Sequence, residues 1–445
     1  MNRRSVRIDF SDKCGKVKPV SALNGSPLVL NEYSTDLTEL YKNVNTSMVR
    51  LADTGKPYGL NQYLDIHAIF PDFSLDERFE LSYNFAPTDK LILAIANSGA
   101  SVYLRLGESI DKFAYKPHLH LPRDLDKYAR ICQHIISHYN EGWANGYKLK
   151  IKYVEIWQSP DTEDGFADSE EKYFELYSVV ACHLKSRFPK LKVGAYSMGG
   201  FRAMNHFDAD ENERGYLEYL ERFLSYINNR EENVPLDFLS WKCEADEPEE
   251  ISLHCNYAMS YLSGARRKRT ESIISEFSVR TKEDIRRMRE YPALLGSSFI
   301  IAQKSSVSAM FYSTMLENPS KNGIWSTDVF GDIHLFSGYY ALEAMGRLSR
   351  LDTLVRTGED YRREIYTLAA TSESDGAILL CSRYYDGVVD IELENHAFRS
   401  YSVIGVIGGG RDGAGCRSSR EDLQLNSSKI SLKMGKNQLF LITLK

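Results

Sequence analysis

A chain of 445 residues is long for one ordinary domain and suits a large barrel with an appendage. Its 43% apolar and 26% charged content is that of a globular protein and excludes a disordered or fibrous one. A net charge of −6, with "RRKR" (266–269) as the one basic tract, argues against nucleic acid as a main partner, and no apolar run reaches the roughly 18 residues of a membrane span.

From about residue 20 to 350, short apolar runs alternate with longer amphipathic stretches. The expected strands, in chain order, are "VSAL" (20–23), "MVRLA" (48–52), "SVYLRL" (101–106), "YVEIW" (153–157), "KVGAY" (192–196), "DFLSW" (237–241), "SIISEF" (272–277) and "SAMFYS" (308–313). Helical stretches such as 123–143 and 170–188 separate them, the second with apolar residues at i, i+3, i+4 spacing. Eight strands each followed by a helix predict a parallel (β/α)8 TIM barrel over 1–350. An open doubly wound sheet lacks its marker, because no GxGxxG follows the first strand. Beyond residue 351, short alternating runs broken by "SDG" and "YDG" turns predict an antiparallel β-sandwich over 351–445. Within residues 1–15, "RRSVRIDF" (3–10) is a candidate extra strand for it.

The segment 1–15 shows no apolar stretch of the kind a secretory leader carries. The seven cysteines are scattered and form no CxxC. The expectation is therefore a cytoplasmic chain with reduced thiols, and with neither a zinc site nor a cofactor. "HIISH" (His134, His138) has metal-like spacing but lacks the Glu of HExxH, so packing is expected. "GGGRDGAG" (408–415) has no Lys-Ser/Thr after its glycines and reads as a hairpin turn, not a phosphate loop.

In such a barrel, functional groups sit at the carboxyl ends of strands and in the loops after them. That selects Arg50 and Asp53; Arg105, Glu108 and Ser109; Trp157, Gln158, Ser159 and Asp161; Trp241 and Lys242; Glu276; and Tyr312 and Trp325. An acid ending an apolar run, as Glu276 does in "IISEFS", is costly inside a core and belongs at a site.

The series "MVRLAD", "YNFAPTDKLILAIANSGASVYLRLGESI", "HYNEGWANGYKLKIKYVEIW", "FPKLKVGAYS", "PLDFLSW" and "IISEFS" resembles glycoside hydrolase family 39, retaining enzymes that include β-xylosidases and α-iduronidases. The likeness covers nearly the whole chain. It implies a glycoside or oligosaccharide ligand. It also implies that Glu276 holds the nucleophile position, and that Gln158 and Ser159 stand where the family's WNEP motif has Asn and the acid/base Glu. Arg50, Asp53, Trp157, Gln158, Trp241, Lys242, Tyr312 and Trp325 are then expected to bind substrate. Lys242 replaces a His frequent in relatives.

A retaining glycosidase needs one carboxyl to attack and another to protonate the leaving oxygen. Ser159 cannot supply that proton near neutral pH. Three readings follow: a glycosidase acting on a β-xyloside-like glycan with impaired catalysis; one rescued by a relocated acid, with Asp161, Glu163, Asp164 and Glu108 as candidates; or a non-catalytic carbohydrate-binding protein. An intracellular scaffold that uses the barrel surface belongs to a different class.

Overall fold

The structure, a computed structural model, describes residues 2–29, 34–52, 64–109, 119–162, 164–313, 323–358, 362–409 and 415–445. Eight strands close into one barrel: β1 (Ala22–Asn24), β2 (Met48–Leu51), β3 (Ser101–Leu106), β4 (Tyr153–Ile156), β5 (Lys192–Met198), β6 (Phe238–Ala245), β7 (Glu271–Val279) and β8 (Val307–Tyr312). Each pairs in parallel with its neighbours, and β8 closes on β1. All eight expected strands are present. β6 and β7 run further toward the barrel mouth than their apolar runs suggest, because ladder bonds continue past the last apolar residue.

Inside the barrel, Ala22, Met48, Tyr103, Phe238, Ile273, Ala309 and Phe311 form an apolar layer. It plugs the barrel, so the polar side chains above it face only the carboxyl-end mouth. The larger core lies between strands and helices. Helix starts there follow capping chemistry. The Asp124 side chain accepts from Lys127 N at 2.9 Å, and Asp210 and Glu213 form a reciprocal capping box before Glu211–Asn229. Among the described residues no helix is long and apolar enough to cross a membrane.

The second layer is a curled nine-stranded sheet, matching a TIM barrel joined to a β-sandwich. Strand Arg3–Lys16 lies within it, antiparallel to Thr353–Thr357 and parallel to Gly387–Glu394. Its own core gathers Ile8, Val355, Ile378, Ile391 and Ile442. Helix Tyr291–Lys304 packs on this sheet closely enough that a Cβ at Gly296 would lie 2.5 Å from Cys381 Sγ. The loop after β6 and the start of the helix Glu249–Gly264 add polar ties, with Arg383 Nη2 3.1 Å from Glu247 Oε2 and Tyr366 OH donating to Glu249 at 2.7 Å.

Candidate active site

Strand alternation aims Arg50, Glu155 and Ser240 into the barrel above the apolar layer. Arg50 is 1% exposed and Glu155 0%. Arg50 donates to Glu155 Oε2 through Nη2 at 2.6 Å and Nε at 3.1 Å. The other Glu155 oxygen accepts Tyr103 OH at 3.0 Å and the Ser240 hydroxyl. This carboxylate is fully partnered and lies beneath the mouth.

Glu276 sits above it. The β6–β7 register shifts between Ile274 and Glu276, a bulge at Ser275. Such a bulge re-aims the next side chain, and here Glu276 becomes the register partner of Lys242. Lys242 Nζ lies 3.6 Å from Glu276 Oε2, and Arg50 Nη1 lies 3.3 Å from Glu276 Oε1. Burial alone would raise the Glu276 carboxyl, but the Lys242 ammonium and the Arg50 guanidinium outweigh it and hold it below the usual carboxylate range. Two cations and two carboxylates thus make a neutral cluster with one open side, where the Glu276 side chain keeps 28% exposure.

The loop after β4 is held in an unusual conformation. Trp157 and Ser159 have φ of 71° and 48°, in the left-handed region that costs an L-residue about 1–2 kcal/mol. Hydrogen bonds fix it: Trp157 N to Leu106 O and Ser159 N to Tyr196 O, each 2.7 Å, and Trp157 Nε1 to Gly165 O at 2.7 Å. The Trp157 ring lies over Gly107, where a Cβ would meet it at 2.7 Å. Gln158 turns inward, with Nε2 3.5 Å from Glu276 Oε1, and its buried Oε1 has no partner among the described residues. Ser159 is 0% exposed, and its hydroxyl donates to Ser197 O at 2.9 Å.

The structure thus brings Arg50, Gln158, Lys242 and Glu276 together. It places several other expected ligand contacts elsewhere. Trp157 is 1% exposed and edge-on to Phe166, under the β4 loop rather than in the mouth. Trp241 points outward between two inward residues, Ser240 and Lys242; its Nε1 donates to Ser272 Oγ and its ring meets Phe201. Tyr312 is 0% exposed against Phe277 and Met345, and Trp325 is 1% exposed in a small hairpin. All four aromatics are buried in this conformation. Asp53 and Glu163 lie outside the described residues, as do residues 410–414 of the glycine-rich turn. His134 stacks on Trp143 and His138 on Phe85, which is packing.

Of the expected substitute acids, Glu108 and Asp161 are each engaged by another partner. Glu108 is 3% exposed, with Oε1 2.7 Å from His67 Nδ1. Burial raises its carboxyl well above the usual range, Asp65 adds to this and Arg105 opposes it. Arg105 and Ser109 are both tied to Asp65. Asp164 is exposed. Asp161 Oδ2 accepts Gly199 N at 2.8 Å while its buried Oδ1 has no partner among the described residues. Burial pushes Asp161 up to about 6, against the Gly199 bond and Lys242. A carboxyl raised on folding contributes stability that is full below its unfolded value and lost as pH rises through the folded one. The wild-type melting temperature should therefore fall between pH 4 and 7 more steeply than that of Asp161→Asn. Parallel melting curves across this window would exclude a raised Asp161.

Sequence reading passed over Glu155, although the signal was present: an acid in mid-strand, within "YVEIW", needs a buried partner.

A family model for glycosyl hydrolases family 39 matches residues 23–281. Over 181 residues the chain is 24% identical to a beta-xylosidase of Geobacillus stearothermophilus, a match covering 39% of this chain and 32% of that protein. The chain thus spans about a third of that relative's length. Among solved structures, a glucosidase from Croceicoccus marinus superposes with a TM-score of 0.79 at 20% identity, covering 100% of this chain and 99% of the other. A monomeric beta-xylosidase from Caulobacter crescentus CB15 gives 0.72 at 15% identity, covering 99% of each chain.

Proposed function

The chain belongs to glycosyl hydrolases family 39, and from that membership we propose that its barrel mouth binds a β-xyloside-like glycan around Glu276, with cleavage impaired by the loss of the general acid. The sugar class rests on the names of the Geobacillus and Caulobacter proteins. The observation that carries the impairment is Ser159, whose buried hydroxyl is already committed to Ser197 O.

In the retaining reaction a carboxylate oxygen bonds to the anomeric carbon as the bond to the leaving oxygen breaks, and that oxygen takes a proton. Glu276 is ionised and open on one side, which suits attack. On this reading the proton source is what is missing: Ser159 cannot supply it, and among the described residues Asp161 Oδ2 is engaged by Gly199 and Glu108 Oε1 by His67. Losing general acid help costs about 10² to 10⁴ in rate, most of all for poor leaving groups. The second reading, a carbohydrate-binding protein without turnover, is favoured by Lys242, because an ammonium beside Glu276 weakens it as a nucleophile.

An aryl xyloside with a very good leaving group needs no protonation and separates the readings. The wild type should release the aryl group slowly and leave unactivated xylosides uncut. Glu276→Gln should lower release to background while calorimetry still detects xylose-type ligands. Wild-type inactivity toward the activated substrate, with binding intact, would favour the carbohydrate-binding reading. Brisk cleavage of an unactivated xyloside would mean that another acid has taken over.

A further inference from the structure

A second polar cluster lies on the same barrel face, built from two loops forty residues apart in sequence. His206 follows β5; Asp246 follows β6; Glu250 opens the helix Glu249–Gly264. One donor atom from each lies within 4.8 Å of the others. His206 Nε2 is 2.5 Å from Glu250 Oε1 and 3.8 Å from Asp246 Oδ2.

We propose that His206, Asp246 and Glu250 form a binding site for a divalent transition-metal ion of the Zn²⁺ class. One imidazole nitrogen and two carboxylate oxygens are a donor set such ions take, with a further position left for water. Bonds of about 2.0–2.2 Å place adjacent donors roughly 3–3.5 Å apart, and the distances here bracket that spacing. The charge balance points the same way. Among the described residues, the ion pairs of Asp246 and Glu250 run to His206 alone. Asp208 also faces His206, at 3.9 Å, while the nearby cation Arg202 is held by Asp208 and Glu213. Glu250 is 9% exposed, so its charge beside a second carboxylate is costly without a shared cation.

An outer shell holds the donors. Glu250 Oε2 accepts the Asp246 N–H at 2.9 Å, Asn205 Nδ2 reaches Glu250 Oε1 at 3.4 Å, and Asn205 Oδ1 lies 2.8 Å from His254 Nε2. Asp246, at 42% side-chain exposure, gives an ion a path from solvent. Local spacing rules miss this site because the loops meet only in the folded barrel. A bound ion would join the β5 loop to the β6 loop. The β5 loop also supplies Gly199 N to Asp161, and packs Gly200 where a Cβ would lie 2.7 Å from Lys242 O.

The test is titration of the chelator-stripped full chain with ZnCl2 by calorimetry, and with CoCl2 by visible absorption. Wild type should bind one ion and show ligand-field bands of nitrogen–oxygen coordination. Loss of an outer-shell partner weakens metal sites about 10- to 100-fold, so His206→Ala and Asp246→Asn should each weaken binding by at least that much. Asp246 is 42% exposed, so metal-free melting of Asp246→Asn should stay near that of wild type, whereas His206→Ala should melt lower because it also removes the Glu250 contact. If one variant fails to fold, the other carries the comparison. Absence of saturable binding by wild type, or equal affinity in the folded variants, would overturn the proposal.

Discussion

Arg50→Met is expected to destabilise the barrel by about 3–5 kcal/mol, the range for removing one partner from a buried ion pair. The guanidinium is the one cation on Glu155 among the described residues, with Tyr103 and Ser240 as the carboxylate's neutral partners. Methionine fills much of the same volume, so the loss reads out charge rather than a cavity. The pH dependence identifies the cause. In wild type, Glu276 lies below its ordinary 4.5, so its contribution is present above that value and is lost as pH falls. In the variant the Arg50 share of that contribution is gone, so less stability is lost as pH falls. The gap therefore narrows from pH 7 toward pH 4. Chemical denaturation at the two pH values measures it, and Arg50→Met with Glu155→Gln should recover part of the loss. A difference below about 1 kcal/mol at pH 7 would mean that water, not Arg50, satisfies Glu155.

This cluster also explains which parts of the molecule were legible from residues alone. The barrel strands are buried on both faces, so they read as continuous apolar runs punctuated by helices, and the fold follows from their number and order. Glu276 stood out because a carboxylate at the end of such a run has few structural uses. The aromatics did not declare themselves. Trp241 could face the mouth or the helices, and its direction is fixed by Ser240 and Lys242 on either side pointing inward, a parity that becomes visible once Ser240 is seen to hold Glu155. Trp157 was harder still, because its positive φ breaks the alternation on which any such parity rests. Ser159 was recognised as a changed position, but its burial under Ser197 O depends on the β5 backbone, 38 residues away.

Replacing Gln158 by Asn and Ser159 by Glu together should raise cleavage of xylosides with poor leaving groups by about 10² to 10⁴, the usual worth of a general acid. The gain should shrink toward zero as the leaving group improves, so a plot of rate against leaving-group acidity should flatten in the double variant and stay steep in wild type. The reason for changing both residues is steric. A glutamate at position 159 cannot occupy the pocket of the Ser159 hydroxyl, which is fully buried against Ser197 O, so its carboxyl must turn toward the mouth. Gln158 occupies that space now, with its amide 3.5 Å from Glu276, and the shorter asparagine vacates it. The backbone cost of φ 48° is already borne by serine and is much the same for glutamate. Gln158→Asn alone should therefore gain nothing, and Ser159→Glu alone should gain less than the pair. Lys242 sets the ceiling. If its ammonium holds Glu276 out of line for attack, adding Lys242→His to the pair should raise the rate on every substrate, activated ones included, because it acts on the nucleophile rather than on the acid. A folded double variant with wild-type rates on all leaving groups would show that proton donation is not what this site lacks.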